Sequence, residues 1–305
     1  MKFRNLIDLM DFFKTEMDCV KYLYNRRIKN NIPCHYCGCN DSYLPKNNTR
    51  IRCRKCKSQY SVRVGTIFQD SNVPLRKWFI AMYIYLSHKK GISSCQLAKD
   101  ITVSQPTAWF MLHRLRHISK DFFHNEFDGI TEVDEAYFGG SESNKHTVNK
   151  FKSEKTAVIG LINRETKQVR AVSIPNADKE NLLPKIGMNI KANSTIVTDT
   201  YHAYKNLKNN FKHHTVKHSA KEYVRLDSRV AFKIHTNTIE GFWSQVKRGI
   251  FGIYHWASKK HINNYLNEFS FRYNTKELAD CERFDSFLLR VESKTLKYKH
   301  LIAGV

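Results

Sequence analysis

Hydrophobic residues recur at helical spacing in the segment HTNTIEGFWSQVKR, residues 235–248. Its apolar stripe comprises Ile239, Phe242, Trp243, Val246 and, just beyond, Ile250. The opposite side carries Asn237, Glu240, Ser244, Lys247 and Arg248. This pattern predicts an amphipathic helix whose polar face points away from the core. Taken alone, Glu240 is a solvated acid near the helix N-terminus, where it favours the helix dipole.

Strand-like runs dominate from Gly129 onward. The segments ITEVDEAYFGG, TAVIGLIN and VRAVSIP predict three successive strands. They are followed by a helix over about residues 178–190, a strand STIVTD, a short helix over about residues 203–209 and a strand HHTVKH. Three strands followed by alternating helix and strand predict an α/β domain with a mixed sheet.

Helical patterns cover the chain before this domain. Residues 3–27 predict a helical lead-in, and residues 73–120 predict further helices. Near the end of the second stretch, Ser93 or Ser94 can cap a short helix, a turn follows at residues 100–104, and residues 105–118 form a second helix. This spacing suits a DNA-binding helix-turn-helix, although a plain helical hairpin has the same pattern. The side chains expected to face a DNA groove are Gln105, Thr107, Ala108, Met111 and Arg114, with Trp109, Leu112 and Leu115 in the core.

The composition indicates a polyanionic partner. The 305 residues include 51 Lys and Arg against 28 Asp and Glu, a formal charge of +23, and nucleic acid is the first candidate partner. A membrane surface is the rival, but the longest apolar run, residues 78–86, is too short to span a bilayer. We expect neither a signal peptide nor a membrane helix.

Four of the 8 cysteines form two CxxC pairs, Cys34/Cys37 and Cys53/Cys56, separated by fifteen residues. Two such pairs present four thiolates to one ion and predict a tetrahedral structural zinc site. His35 and Cys39 are weaker alternative ligands. The cysteines are not scattered along the chain as in a disulfide framework. They therefore also indicate a reducing intracellular compartment, such as a bacterial cytoplasm or nucleoid or a eukaryotic nucleus.

Three acids are candidates for one site. Asp134 and Asp199 each lie near the carboxyl end of a predicted strand, where α/β sheets bind ligands, and Glu240 lies on the polar helix face. Each has an ordinary structural alternative, a helix cap for Asp199 and a lysine pair for Asp134. Acids in a cleft meant for a polyanion would repel it unless divalent metals lie between them, so the set predicts a two-Mg²⁺ or Mn²⁺ site for phosphoryl transfer.

The order of these motifs resembles insertion-sequence DDE transposases with an N-terminal zinc ribbon. The resemblance extends over about residues 20–275 and is carried by the two CxxC pairs, the two-helix segment and the blocks VDEAYFGG, VTDTYHAY and HTNTIEGFWSQVKRG. It implies a multidomain α/β protein with a ribonuclease-H-like catalytic domain. Its metal-binding acids match Asp134, Asp199 and Glu240, and Asn237 belongs to the same signature. Glu132 and Glu135 are nearby competitors, and strand alternation favours Asp134, with Glu132 on the same face.

The resemblance also implies a function. The protein would cut DNA at the ends of its mobile element and join the 3′-OH to target DNA by transesterification. Its partners would be terminal inverted repeats, target DNA and further copies of itself, with Lys247 and Arg248 holding the DNA backbone. The expected divisions are a lead-in (1–28), a zinc ribbon (29–70), a helix-turn-helix segment (71–122), the catalytic domain (128–280) and a C-terminal tail (281–305). The alternatives are a transposase-derived regulator without catalysis and a metal-dependent nuclease or resolvase on the same fold.

Overall fold

The computed structural model describes residues 3–46, 48–120, 125–139, 155–220, 222–292 and 294–303. Its α-helices are α1 (Leu6–Phe12), α2 (Glu16–Lys29), α3 (Leu75–Ser87), α4 (Ser94–Ile101), α5 (Gln105–Ser119), α6 (Lys179–Gly187), α7 (Asn237–Gly249), α8 (Ile262–Asn274), α9 (Asp280–Leu288) and α10 (Tyr298–Ala303). Its strands are β1 (Ser42–Tyr43), β2 (Arg50–Cys53), β3 (Gln59–Ser61), β4 (Ile130–Phe138), β5 (Thr156–Asn163), β6 (Val169–Ile174), β7 (Thr195–Asp199) and β8 (Lys212–Val216). Short 3₁₀ helices span His202–Asn209 and His218–Ala220, and a π-helix, Ile250–Tyr254, continues α7. No helix in these ranges has the length and apolar character that crossing a membrane requires.

The chain forms two compact units, one made of Met1–Ile118 with Glu277–Val305 and the other of Ser119–Lys276. Aromatic side chains form much of the core of the first unit. Phe13 contacts Phe79 edge-on with ring centroids 4.8 Å apart, and Phe284 of α9 lies 5.7 Å from Phe79. Residues 281–305, delimited above as a tail, contribute α10 and nearly all of α9 to this unit.

Three short antiparallel strands form a small sheet within the first unit, in the order β1-β2-β3. The strands contain only 2, 4 and 3 residues. Cys53 is the last residue of β2 and is fully buried. A sheet this small has little apolar surface to bury, so a further source of stability is needed.

The second unit is built on a five-stranded mixed sheet in the order β6-β5-β4-β7-β8. The first three strands in this sheet are antiparallel neighbours, whereas β4, β7 and β8 are parallel. The α/β class and mixed sheet predicted from the sequence are therefore confirmed.

Both faces of this sheet are covered. One face packs against α6 and the 3₁₀ helix at 202–209, through a cluster that includes Val133, Ile159 and Leu182. The other face packs against α7 and α8, through a cluster that includes Ala136, Trp243 and Leu266. Because Ala136 and Asp134 are two residues apart on one strand, Asp134 shares the face covered by α7.

Gly160 allows α7 to approach the sheet closely. It lies on β5 directly opposite Asp134 of β4. A Cβ at this position would overlap Cζ2 of Trp243, lie 2.9 Å from its Cη2 and lie 3.0 Å from Cδ1 of Ile239. Both of these residues belong to the buried stripe of α7, so the missing side chain helps to set the height of this helix above the sheet.

We expect the Gly160→Ala variant to be less stable by about 1–3 kcal/mol, because the extra methyl group overpacks the contact with Trp243. The matched control is Gly187→Ala in α6, where an added Cβ meets nothing within 4 Å. That control should be neutral or stabilised by up to about 1 kcal/mol. Urea denaturation followed by tryptophan fluorescence tests the difference, and equal midpoints for the two variants would contradict the packing account.

Candidate active site and zinc site

Asp134 and Asp199 lie on neighbouring parallel strands of the central sheet. The ladder between β4 and β7 pairs Ile130 with Thr195 and continues to Glu132 opposite Val197. If this register is continued for two more residues, Asp134 lies beside Asp199. Both side chains then point to the same face of the sheet, just beyond the last paired residues. Neighbouring strands are about 4.8 Å apart, so the two carboxylates belong to one cleft. Asp199 ends β7 as predicted and accepts a hydrogen bond from the backbone N–H of Tyr201 (2.9 Å). Asp134 instead lies in the middle of β4, which continues to Phe138, so the expectation that it lies near the end of its strand is wrong.

The cleft is strongly acidic. Burial, together with the nearby carboxylates of Glu135, Asp199 and Glu240, raises the pKa of Asp134 to about 7, although a hydrogen bond from the Glu135 backbone acts in the opposite direction. Burial also raises the pKa of Glu135. Crowded carboxylates of this kind are stabilised by a bound cation, and their hard oxygen atoms suit Mg²⁺ or Mn²⁺.

Cation binding in this cleft is expected to strengthen as the pH rises through 7, because a proton on Asp134 competes with the metal. With a pKa of about 7, the ionised fraction rises from about one tenth at pH 6 to about nine tenths at pH 8. The expected change is therefore about tenfold tighter binding of Mn²⁺ at pH 8, measured by electron paramagnetic resonance. The Asp134→Asn variant should lose this pH dependence, and wild-type protein with equal affinities at both pH values would contradict the assignment.

Glu240 reaches this face from the first turn of α7. Its Oε1 atom accepts a hydrogen bond from Thr236 Oγ1 (3.1 Å) and lies 3.1 Å from Nε2 of His218. The side chain is 45% exposed. The ligand atoms of Asp134, Asp199 and Glu240 do not all lie within 4.8 Å of one another, and among the described residues only the cysteines form such a group.

The rest of α7 follows the predicted amphipathic pattern. All five residues of the predicted apolar stripe are buried, including Ile239, Phe242 and Trp243. Asn237 is the first residue of the helix and is exposed, as are Lys247 and Arg248 two turns beyond Glu240. The exposed face therefore carries an acid near its start and two cations near its end.

The two competing acids of β4 have other partners. Glu132 is fully buried and accepts hydrogen bonds from the start of α7 and from Arg164. Glu135 alternates to the opposite face from Asp134, where it accepts a 2.5 Å hydrogen bond from the hydroxyl of Tyr204. The sequence showed which face each acid occupies, but it gave no sign of these partners, which are distant along the chain.

The four cysteines of the two CxxC pairs come together in the first unit. Their Sγ atoms all lie within 4.8 Å of one another. Cys34 and Cys56 are 3.8 Å apart, and Cys37 and Cys53 are 3.6 Å apart. Four sulfurs at about 2.3 Å from a tetrahedral zinc ion would be about 3.8 Å apart, so the cluster fits zinc.

The predicted pair of helices is present as α4 and α5, joined by residues 102–104. Ser93 caps α4 by accepting a hydrogen bond from the N–H of Gln96, and Gln105 is exposed at the start of α5. Thr107 is half-buried and its hydroxyl lies 2.8 Å from that of Ser104.

The expectation that Arg114 faces a DNA groove is wrong. Its side chain is only 5% exposed, and it donates hydrogen bonds to the carbonyl oxygens of Ile67 (2.7 Å) and Gln69 (2.8 Å). The guanidinium also lies over the ring of Phe110, 4.6 Å from its centroid. Ala108 and Met111, expected on the same surface, are buried as well. This side of α5 packs inside the first unit, so Arg114 has a structural role.

Comparison with known proteins identifies the family. The model of the ISXO2-like transposase domain matches residues 126–274. An uncharacterized protein in transposable element ISH50 of Halobacterium salinarum is 26% identical over 280 residues, which is 85% of this chain and 91% of that protein. An uncharacterized transposase-like protein of Haemophilus influenzae is 30% identical over 115 residues, 36% of this chain and 85% of that protein. The resemblance found in the sequence is thereby confirmed, and the chain belongs to the insertion-sequence transposases with an ISXO2-like transposase domain.

Proposed function

We propose that this transposase cuts DNA at the ends of its mobile element and joins the freed 3′-OH to target DNA in the cleft formed by Asp134, Asp199 and Glu240. The observation that supports this most strongly is that Asp134 and Asp199 lie side by side on neighbouring strands, within electrostatic range of Glu240. Asp134, in the middle of β4, and Asp199, at the end of β7, share one sheet face, and Glu240 lies on the helix that covers this face. The mixed sheet with acids at its central strands also supports a ribonuclease-H-like catalytic domain over residues 128–280.

Asp134 and Asp199 would hold two Mg²⁺ or Mn²⁺ ions, and Glu240 would complete the set from α7. Metal ions bound here would supply activation of the attacking oxygen and stabilisation of the leaving 3′ oxygen. For Glu240 to take part, its carboxylate exchanges its contacts with Thr236 and His218 for the cleft.

The remaining residues of this site bind and orient DNA. Asn237, one helical turn before Glu240, would orient the attacking water or a phosphate oxygen. Lys247 and Arg248 would bind the phosphate backbone. In the cutting step, water forms a new P–O bond while the bond to the 3′ oxygen breaks. In the joining step, that 3′-OH forms a P–O bond as the target phosphodiester breaks. The number of phosphodiester bonds is unchanged in the second step, so joining needs no separate energy source.

The first unit would supply recognition of the terminal inverted repeats. The ribbon (29–70) would hold one structural Zn²⁺ through Cys34, Cys37, Cys53 and Cys56. The segment 71–122 would act as a helix-turn-helix, with Gln105 and Thr107 near the DNA at the exposed start of α5. The charge of +23 supports extensive phosphate contact, so binding should weaken steeply with salt. A homo-oligomer would bring two DNA ends together.

A strand-transfer assay distinguishes this proposal from its alternatives. The purified protein is incubated with Mg²⁺, a labelled DNA end taken from the flank of its own gene, and a supercoiled target plasmid. The proposal predicts label covalently joined to the plasmid. Cutting without joining would favour a nuclease or resolvase, and binding without cutting would favour a transposase-derived regulator.

A further inference from the structure

We infer that Glu132 is a positioning residue for the catalytic site, because it fixes the start of the helix that carries Glu240 to the strand that carries Asp134. This inference rests on the proposed function of the cleft. Glu132 lies on β4 two residues before Asp134 and points to the same face. Its side chain has no exposed surface.

The carboxylate of Glu132 acts as a cap for α7 supplied by another element. One oxygen, Oε2, accepts hydrogen bonds from the backbone N–H groups of Thr238 and Ile239, both at 3.0 Å. The other oxygen, Oε1, accepts a hydrogen bond from the hydroxyl of Thr238 (2.9 Å). The first N–H groups of a helix lack partners within the helix, and a negative charge at this end also favours the helix dipole. No side-chain cap is supplied by Thr236, the residue before the helix.

Arg164 completes the attachment. It follows β5 and donates a 2.7 Å hydrogen bond from Nε to Oε1 of Glu132. The same guanidinium donates to the carbonyl oxygens of Lys233 (2.7 Å) and His235 (2.6 Å), which precede α7. The Glu132–Arg164 pair therefore holds both the approach to α7 and its first turn.

The contact between Glu132 and α7 helps to fix the distance between two proposed metal ligands, Asp134 and Glu240. Glu240 lies one residue after Ile239, whose N–H is bound by Glu132. Asp134 lies two residues after Glu132 on the same strand face. A carboxylate therefore links the backbones that carry Asp134 and Glu240 by one short bridge. Groups that orient metal ligands in this way typically change metal affinity or activity 10- to 100-fold when they are replaced.

The test compares Glu132→Gln with Glu268→Gln in the full-length protein. Glu268 is an equally buried carboxylate in the same unit, paired with Arg272 at 2.6 Å and bound by the hydroxyl of Tyr254. Both variants remove a buried negative charge beside an arginine. They differ in that Glu132 binds the start of α7, whereas Glu268 binds Arg272 and the hydroxyl of Tyr254, so Glu268→Gln controls for loss of stability.

The expected result for Glu132→Gln is a 10- to 100-fold increase in the Mg²⁺ concentration that gives half-maximal end cleavage, with end binding unchanged. Without metal or DNA, amide hydrogen exchange at Thr238 and Ile239 should also be at least about tenfold faster. Glu268→Gln should leave both measurements within about threefold of wild type. If Glu132→Gln does not fold, Thr238→Val is the alternative variant, because it removes one hydrogen bond to Oε1 of Glu132. It should change the Mg²⁺ requirement and the amide exchange in the same directions, by smaller factors.

Three outcomes separate this inference from the proposed function. A folded Glu132→Gln variant with wild-type exchange in α7 and a wild-type Mg²⁺ requirement overturns the positioning role. Equal changes in Glu268→Gln also overturn it, because the effect would then follow from lost stability. If wild-type protein cleaves no DNA end while the exchange difference is present, the proposed function fails and the link from Glu132 to α7 stands.

Discussion

The Asp199→Asn variant is expected to lose end cleavage and joining by at least about a thousandfold, while it binds the DNA end with wild-type affinity. Asparagine has nearly the same shape as aspartate, and its amide oxygen can still accept the hydrogen bond from the N–H of Tyr201. The local turn after β7 is therefore preserved. The negative charge that binds a divalent cation is lost. Cleavage and joining should therefore be lost while binding of the DNA end is retained.

Asp128→Asn is the matched control for this substitution. Asp128 precedes β4, at the end of the strand opposite to the cleft, and forms a 3.1 Å ion pair with Lys191 at the surface. An exposed pair of this kind contributes little to stability. The control should cleave at the wild-type rate in a single-turnover assay with labelled ends. Retained cleavage by Asp199→Asn would remove Asp199 from the proposed catalytic set.

Removal of zinc is the second change with a large expected effect. Chelation, or the Cys53→Ser substitution, should unfold the small sheet of β1, β2 and β3, because strands of 2, 4 and 3 residues bury too little surface to fold unaided. Zinc binding in small domains contributes apparent free energies of about 10–16 kcal/mol, which is folding free energy when the site exists only in the folded state.

Hydrogen exchange read by mass spectrometry measures this effect separately for the two sheets. Amides of residues 50–61 should lose protection when zinc is removed, whereas β4, β5 and β7 should keep theirs. Cys95→Ser, which changes an exposed cysteine outside the cluster, should leave both regions unchanged. Full protection of residues 50–61 in protein shown to contain no zinc would contradict a structural role for the metal.

Local patterns predicted the elements of the site well. The stripe of α7 repeats at 3.6 residues, and burial on one side of a helix produces that pattern directly. The strand carrying Asp134 showed its alternation in the same way, so the face of each acid could be read from the sequence. The two CxxC pairs predicted a cluster of four sulfurs because each turn presents two thiols together.

Contacts between distant residues could not be predicted in this way. Arg114 occupies a helix position that suits DNA contact in a basic protein, but its carbonyl partners, Ile67 and Gln69, lie more than 40 residues earlier. Glu132 has its partners 32 and 106 residues later, at Arg164 and Thr238. A single sequence gives periodicity and spacing, whereas burial of a charged side chain depends on which distant polar atoms meet it.

The most direct test of whether Asp134 binds the catalytic metal is the metal preference of the Asp134→Cys variant in end cleavage. A thiolate is a poor ligand for Mg²⁺ and a better one for Mn²⁺, so a metal-binding position should change its preference when it becomes cysteine. In Asp134→Cys, the ratio of the cleavage rate in Mn²⁺ to that in Mg²⁺ should rise at least about tenfold over wild type, whereas Glu135→Cys should keep the wild-type ratio. An Asp134→Cys variant that cleaves in Mg²⁺ as fast as wild type would contradict the claim that Asp134 binds the catalytic metal.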